Sequence, residues 1–379
     1  MPPAQSGIAD YAASWCAAMQ GAGVEVAVVD TASALGMRSD APEWRGVQLV
    51  HAEIGGGRGG EFLALEQLNA MRPDLPLTAT VHDPERLIWR APMLPPALGW
   101  AARLPRPLPQ LAMLACDPVT LARERRLASS LAGMVTLTAT GAACLSARMQ
   151  VPAARVHVIE HGNAVMPSAP LPPPEPLRLL YFGFVYPGKG LEDLLAAVAK
   201  VVVGGARDLR LTIAGGSAPE LAFGGRADYV AGLRALAGTM GIGQRLDWRL
   251  NLPAAEVPGL IQSHHVLVLP YRESRKLSLL GRMRGTSGAL SWANACGRGV
   301  IASDARAFPE EVSHGNGMVF PEGDVVALAA CIERLLHEPA LAQAWAACAS
   351  TLGVERGWGR VAERFRSFFS ETINGRVRA

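Results

Sequence analysis

Short apolar runs of strand type recur along this chain with helix-length segments between them, and a proline-dense stretch divides them into two series. The first series is Val24 to Val29, Val47 to Val50, Leu77 to Val81, Met134 to Thr138 and Val156 to Ile159. The second is Leu177 to Phe182, Leu209 to Ala214, Leu246 to Leu250, Val266 to Leu269 and Val300 to Ala302. Strands spaced in this way need crossover connections, so each series predicts a parallel sheet covered by helices. At 379 residues the chain also exceeds the roughly 250–300 at which one core stops growing, so two domains are expected.

The divider is AVMPSAPLPPPEP, residues 164–176, whose proline density suits an extended, semi-rigid linker. The predicted organisation is a first Rossmann-like domain over 1–163, the linker 164–176, a second such domain over 177–356, and a C-terminal helix over 357–379 that crosses back to the first. Two doubly wound α/β domains facing across a cleft is the expected architecture, with ligands at the carboxyl ends of the strands. Only MPPAQSG precedes the first helix, whose apolar face is Ile8, Tyr11, Ala12, Trp15 and Met19. Either the first sheet lacks its opening strand or the true start lies upstream. The second is favoured, because an absent central strand is costly.

Residues 88–127 fit the alternation poorly. Prolines at 92, 95, 96, 105, 107 and 109 exclude one straight helix. The segment is read as a cap over the sheet edge or as a mobile surface for an acceptor or for peripheral membrane contact.

Composition excludes several classes. No apolar run reaches the roughly 18 residues of a membrane span and no export signal opens the chain, so a cytoplasmic protein is expected, working at the inner face of the membrane if the 88–127 segment touches it. Six cysteines without C-x-x-C spacing indicate neither a zinc site nor a disulfide framework. The net charge of +3 is too small to imply nucleic acid. Lysine occurs three times, at 189, 200 and 276, the other 33 basic residues being arginine. Lys189 is therefore conspicuous in its glycine-rich loop.

That loop, YFGFVYPGKGLEDLL over 181–195, joins a strand to a helix. Its glycines permit close backbone approach, the helix start offers amide donors, and Lys189 adds a charge, which together suit a diphosphate. A plain strand-to-helix turn with a solvated lysine is the alternative. No Ser or Thr follows the lysine, so this is not the phosphate loop of nucleotide triphosphatases. A second element is RGTSGALSWANACGRGVIASD over 284–304: Thr286 or Ser287 is the expected N-cap, Gly288 to Cys296 the helix and Gly297 its stop. Between the two, YRESRKLSLLGRMRG sets Arg272, Arg275, Lys276, Arg282 and Arg284 against the single acid Glu273. His264 and His265 precede a strand, where a structural role is favoured.

PPAQSGIADY, TVHD, IEHGN, FGFVYPGKG, LTIAGG, VLVLPY and SGALSWANACGRGVIASD, in this order along nearly the whole chain, resemble a retaining GT-B glycosyltransferase of glycosyltransferase family 4. FPEEVSHGNGMVF follows at the family's usual distance. The resemblance implies transfer of a sugar from a UDP- or GDP-sugar to a hydroxyl acceptor with retention, in polysaccharide or glycolipid assembly, with no metal and no cofactor beyond the donor substrate. It assigns His82 and Lys189 to catalysis. To nucleotide-sugar binding it assigns Gly7, Gly183, Lys189 and Glu310; Arg272 joins them from the run of cations, and Ser287, Gly288 and Ala289 from the capped helix start. His161, Arg284 and Trp292 follow as secondary candidates.

The chain departs from that pattern in two places. Phe184 stands where the family often has an arginine, so a cation is owed from elsewhere. Arg284 and Trp292 stand where the family carries two glutamates, and Trp292 is read as packing in the core rather than stacking on a base. The missing acids keep open a chain that has lost catalysis and serves as a binding subunit. A nucleotide-sugar epimerase or hydrolase is a weaker alternative.

Overall fold

Parallel strands build two separate sheets in the computed structural model, which describes residues 7–55, 59–88, 96–105, 107–205, 209–216, 229–273, 281–282 and 284–377. The chain divides into one unit of Met1–His161, Arg275–Gly285 and Trp358–Ala379, and a second of Gly162–Ser274 and Thr286–Gly357.

The first unit contains α1 (Gly7–Gly21), α2 (Thr31–Gly36), β1 (Val50–Ile54), α3 (Gly60–Met71), β2 (Leu77–Val81), α4 (Leu108–Ser130), β3 (Gly133–Thr136), α5 (Ala139–Met149) and β4 (Val156–Val158). Its sheet has the order β1-β2-β3-β4, all parallel, with no reversal of strand order among the described residues. Alternation along β3 puts Met134 in a core with Phe62, Leu65 and Leu145, and Val135 in another with Tyr11, Trp15 and Met19 of α1. The helical spacing around Ile8 therefore reads correctly: Tyr11, Ala12, Trp15 and Met19 are buried.

Val24 to Val29, expected as a strand, forms none. Strand-type residues need a neighbouring edge to bond, and β1 pairs only with β2 among the described residues. Val24 and Val26 pack against the α1 core instead, while Val28 and Val29 stay exposed. The next strand runs not over Val47 to Val50 but over Val50–Ile54, because His51 and Glu53 are accommodated within it. Of the proline-rich segment, residues 89–95 lie outside the described residues. Pro96–Arg103 is 3-10 helix, and α4 then runs for 23 residues with Pro109 in its first turn and Pro118 inside.

The second unit contains β5 (Leu177–Phe182), α6 (Leu191–Val203), β6 (Leu209–Gly215), α7 (Tyr229–Thr239), β7 (Leu246–Leu250), α8 (Val257–Gln262), β8 (Val266–Leu269), α9 (Gly288–Ala295), β9 (Gly299–Ser303), α10 (Phe308–Val312), β10 (Gly317–Phe320), α11 (Val325–His337) and α12 (Ala340–Glu355). Strand order is β10-β9-β8-β5-β6-β7, again all parallel. Chain order reverses at β5, so the loops after β5 and β8 diverge from a topological switch point, where open α/β sheets bind ligands. The last helix, α13 (Trp358–Val377), belongs to the first unit, its Phe365, Phe368 and Phe369 sharing the core of α1.

The proline-rich stretch is docked on the second unit. Arg298, 1% exposed, donates to the carbonyls of Ala169 at 3.1 Å and Pro170 at 2.9 Å, and also to those of Gln262, His264, Cys296 and Gly297. His265 accepts from the Arg178 amide at Nδ1, 3.0 Å, so the neutral ring donates through Nε2 to the Pro173 carbonyl at 3.1 Å. His264 bridges the Leu260 carbonyl and the Thr212 hydroxyl at 2.7 and 2.8 Å. Both histidines therefore pin structure.

Candidate functional site

At the switch point of the second unit, the loop after β5 presses on the loop after β8. Gly190 has φ +70, and a Cβ there would lie 1.6 Å from the Pro270 carbonyl oxygen, so only glycine fits. This contact turns Lys189 inward: it is 8% exposed, and its Nζ lies 3.6 Å from the ring centroid of Tyr271 and 5.1 Å from that of Tyr186. A solvated lysine on a plain turn, the alternative at sequence level, does not describe this geometry.

Tyr271 is the hub. Burial raises its phenol above the usual range, partly countered by its Ser287 hydrogen bond and by the Arg306 charge. Its hydroxyl lies 3.1 Å from the Ser287 Oγ, which in turn accepts from the Ala289 amide at 3.3 Å as the N-cap of α9. Its carbonyl accepts from the Ser303 hydroxyl at 2.7 Å at the end of β9. The guanidinium carbon of Arg306 stands 5.2 Å from the same ring, and its Nη1 donates to the Thr286 carbonyl at 3.3 Å. Two cations and the positive end of a helix thus converge beyond the strand ends, which favours a bound anion.

The sequence-predicted residues divide accordingly. Gly183 (φ +144), Lys189, Ser287, Gly288 and Ala289 belong to this constellation or to the turns that form it. Arg272 does not offer a spare charge: both guanidinium arms bond Asp193 at 2.5 Å, tying the β8 loop to the first turn of α6. Glu310 sits half-buried in the first turn of α10, whereas the next residue, Glu311, is 3% exposed and pairs with Arg356 at 2.6 Å. Trp292 meets Phe182 edge-on with centroids 6.4 Å apart, against the sheet core. Arg275 and Lys276 lie outside the described residues.

The first unit has its own cluster. His82 follows β2, and its Nε2 lies 2.8 Å from Oε2 of Glu53 in β1. Burial would raise the Glu53 carboxyl, but hydrogen bonds from His51 and His82 and their charge outweigh it and bring it down to about 2. His51 also spans the hydroxyls of Thr78 and Thr80, each at 2.9 Å. Tyr11 sets its ring edge against His82, His161 and Trp358, at 4.8, 5.0 and 5.2 Å. Arg284 belongs here: its Nε lies 3.5 Å from Glu85, which also accepts the Arg282 amide. Gly285 is pressed against the His82 carbonyl, where a Cβ would come within 2.1 Å. Gly7 opens α1 and is exposed.

Tyr271, Arg306 and Glu53 were not singled out by sequence reasoning. Tyr271 stood within a quoted motif, Arg306 had no local signal, and Glu53 reads as a solvent-facing acid until His51 and His82 are placed beside it. Among the described residues no group of three or more His, Cys, Asp or Glu is arranged to hold a metal ion. Among them also no helix is long and apolar enough to cross a membrane.

Residues 176–338 match the family model described as Glycosyl transferases group 1. Among solved structures, the chain is similar to sucrose-phosphate synthase from Thermosynechococcus elongatus, at 20% identity and TM-score 0.61 over 87% of this chain and 75% of that one. It is similar to Anabaena HepE in complex with UDP-glucose, at 16% identity and TM-score 0.59 over 86% and 79%. A glycosyltransferase from Rickettsia africae aligns at 12% identity and TM-score 0.59 over 92% and 84%. No curated protein sequence matches at a significant level. Residues 176–338 thus carry the sequence of the glycosyl transferases group 1 family, and the chain has the GT-B fold of two parallel-sheet α/β units.

Proposed function

We propose that the chain transfers a sugar from a nucleoside diphosphate sugar, UDP- or GDP-linked, to a hydroxyl acceptor with retention of configuration, without a metal, in polysaccharide or glycolipid assembly. The observation that carries this reading is the buried Lys189, held against Tyr271 beside the capped start of α9. When the glycosidic bond breaks, negative charge develops on the diphosphate, and fixed cations and amides aimed at it lower the barrier. Same-face attack would let the leaving phosphate oxygen take the acceptor proton, so no dedicated base is assigned. His82, fixed by Glu53, is a hydrogen-bonding group of the right kind for a sugar hydroxyl. Thermal-shift and calorimetric titration with UDP, GDP and ADP test the reading. Saturable binding of at least one supports it, and no binding of any overturns it.

A binding subunit without turnover is favoured by one observation: Trp292 packs on Phe182 in the position where the resemblance puts a glutamate. Release of nucleoside diphosphate from sugar donors decides between the two readings.

Membrane contact joins the proposal through residues 88–127, of which 88–116 contain no acid and three arginines. Trp100 there is 61% exposed, and Leu108, Leu111 and Leu114 lie exposed along α4. Exposed apolar side chains in a segment whose sequence carries arginines and no acid suit an anionic bilayer, the expected location being the cytoplasmic face. Co-sedimentation with phosphatidylglycerol vesicles, abolished in a Trp100→Ser, Leu111→Ser double variant, is the outcome expected. Sedimentation unchanged by the double variant would exclude this surface.

A further inference from the structure

We infer that Arg306 supplies the second phosphate-binding cation of the site, the charge that Phe184 fails to provide; the inference rests on the nucleoside diphosphate reading above. Arg306 has φ +58, in the left-handed region. Glycine adopts that conformation without strain, while an arginine there places Cβ against its own carbonyl. Strained residues persist where their surroundings hold them, and they concentrate at functional sites.

The surroundings do hold this one. The Arg306 amide donates to the Glu273 carboxylate at 2.9 Å, and the Glu273 amide donates to Glu322 at 2.8 Å. The side chain is thereby directed to Tyr271 and to the carbonyl of Thr286, one residue before the N-cap Ser287. Lys189 lies on the same ring at 3.6 Å. A diphosphate bound beside this ring would be attracted by both cations. A guanidinium suits the task because its planar fork meets phosphate oxygens two at a time.

Two of the arginines named from the sequence are committed elsewhere. Arg272 is paired in both arms with Asp193, and Arg284 stands with Glu85 in the first unit. Arg306 combines proximity to Lys189 with a place at the start of α9.

Calorimetry of the full chain with UDP and GDP, and with uridine and guanosine as phosphate-free controls, tests the assignment in R306A, R306K and R306G. The expected result is at least ten-fold weaker diphosphate binding in R306A and R306G, intermediate binding in R306K, and nucleoside binding unchanged. R306G is expected to melt at or above the temperature of the unaltered chain, since glycine relieves the strain. Diphosphate affinity of R306A within two-fold of the unaltered chain overturns the inference, as does a loss shared equally by nucleoside and diphosphate. If the unaltered chain binds neither diphosphate, the underlying reading falls and takes the inference with it.

Discussion

Nε2 of His82 lies 2.8 Å from Oε2 of Glu53, joining a loop residue to the neighbouring strand through a side chain only 13% exposed. The pair fixes which ring nitrogen carries a proton toward the carboxylate. The other nitrogen is left in a set orientation.

Glu53→Gln is expected to flatten the acid limb of the stability profile. The Glu53 carboxyl sits at about 2 in the folded chain against an ordinary 4.5. Its depressed value contributes stability that is complete above 4.5 and lost as pH falls toward 2, on the order of 3 kcal/mol. Urea titrations of both proteins between pH 5 and pH 2.5 measure the difference. Parallel profiles would show that the pair carries no such linkage.

Neutral His264 and His265 contribute with the same sign at higher pH. Burial lowers both below the usual histidine value of 6.5, so the unfolded chain takes up protons first as pH falls. Their stabilising effect is full above about 6.5 and declines below it. His265→Gln is expected to reduce the loss of melting temperature between pH 7 and pH 5, read by scanning calorimetry.

Arg298→Met should cost about 3 kcal/mol or more, because it strips donors from carbonyls that are shielded from water. Chemical denaturation gives the magnitude. Limited proteolysis adds a local readout, with faster cleavage expected within residues 164–176 once Ala169 and Pro170 lose their anchor.

Lys189→Met should weaken UDP or GDP binding by about thirty-fold, equivalent to about 2 kcal/mol for a lost charge-assisted hydrogen bond. Its melting temperature should barely change, since the loop is shaped by Gly190 against Pro270 rather than by the lysine. Gly190→Ala is expected to do the reverse, lowering stability by more than about 2 kcal/mol through the clash with Pro270. Circular dichroism melts separate the two.

Strand-type runs, helix faces and the capped helix at Ser287 were legible in the sequence because each depends on neighbours within a few positions. Leu77–Val81, Leu177–Phe182 and Leu246–Leu250 fall where the pattern puts them. Val24 to Val29 fails because a strand also requires an edge to bond, which no local pattern supplies. The lysine loop could be named from its glycines. That Lys189 is buried against Tyr271, that Arg272 is spent on Asp193, and that Arg306 stands on the same ring follow from the reversal of strand order at β5. The same holds for Glu53, whose charge is stable only beside His51 and His82. By itself the sequence determined the alternation of elements, the division into two series and the residues able to meet a phosphate. Tertiary structure decided which charges are already neutralised and which converge, because Coulombic interactions depend on distance in space and on burial, and neither is set by spacing along the chain.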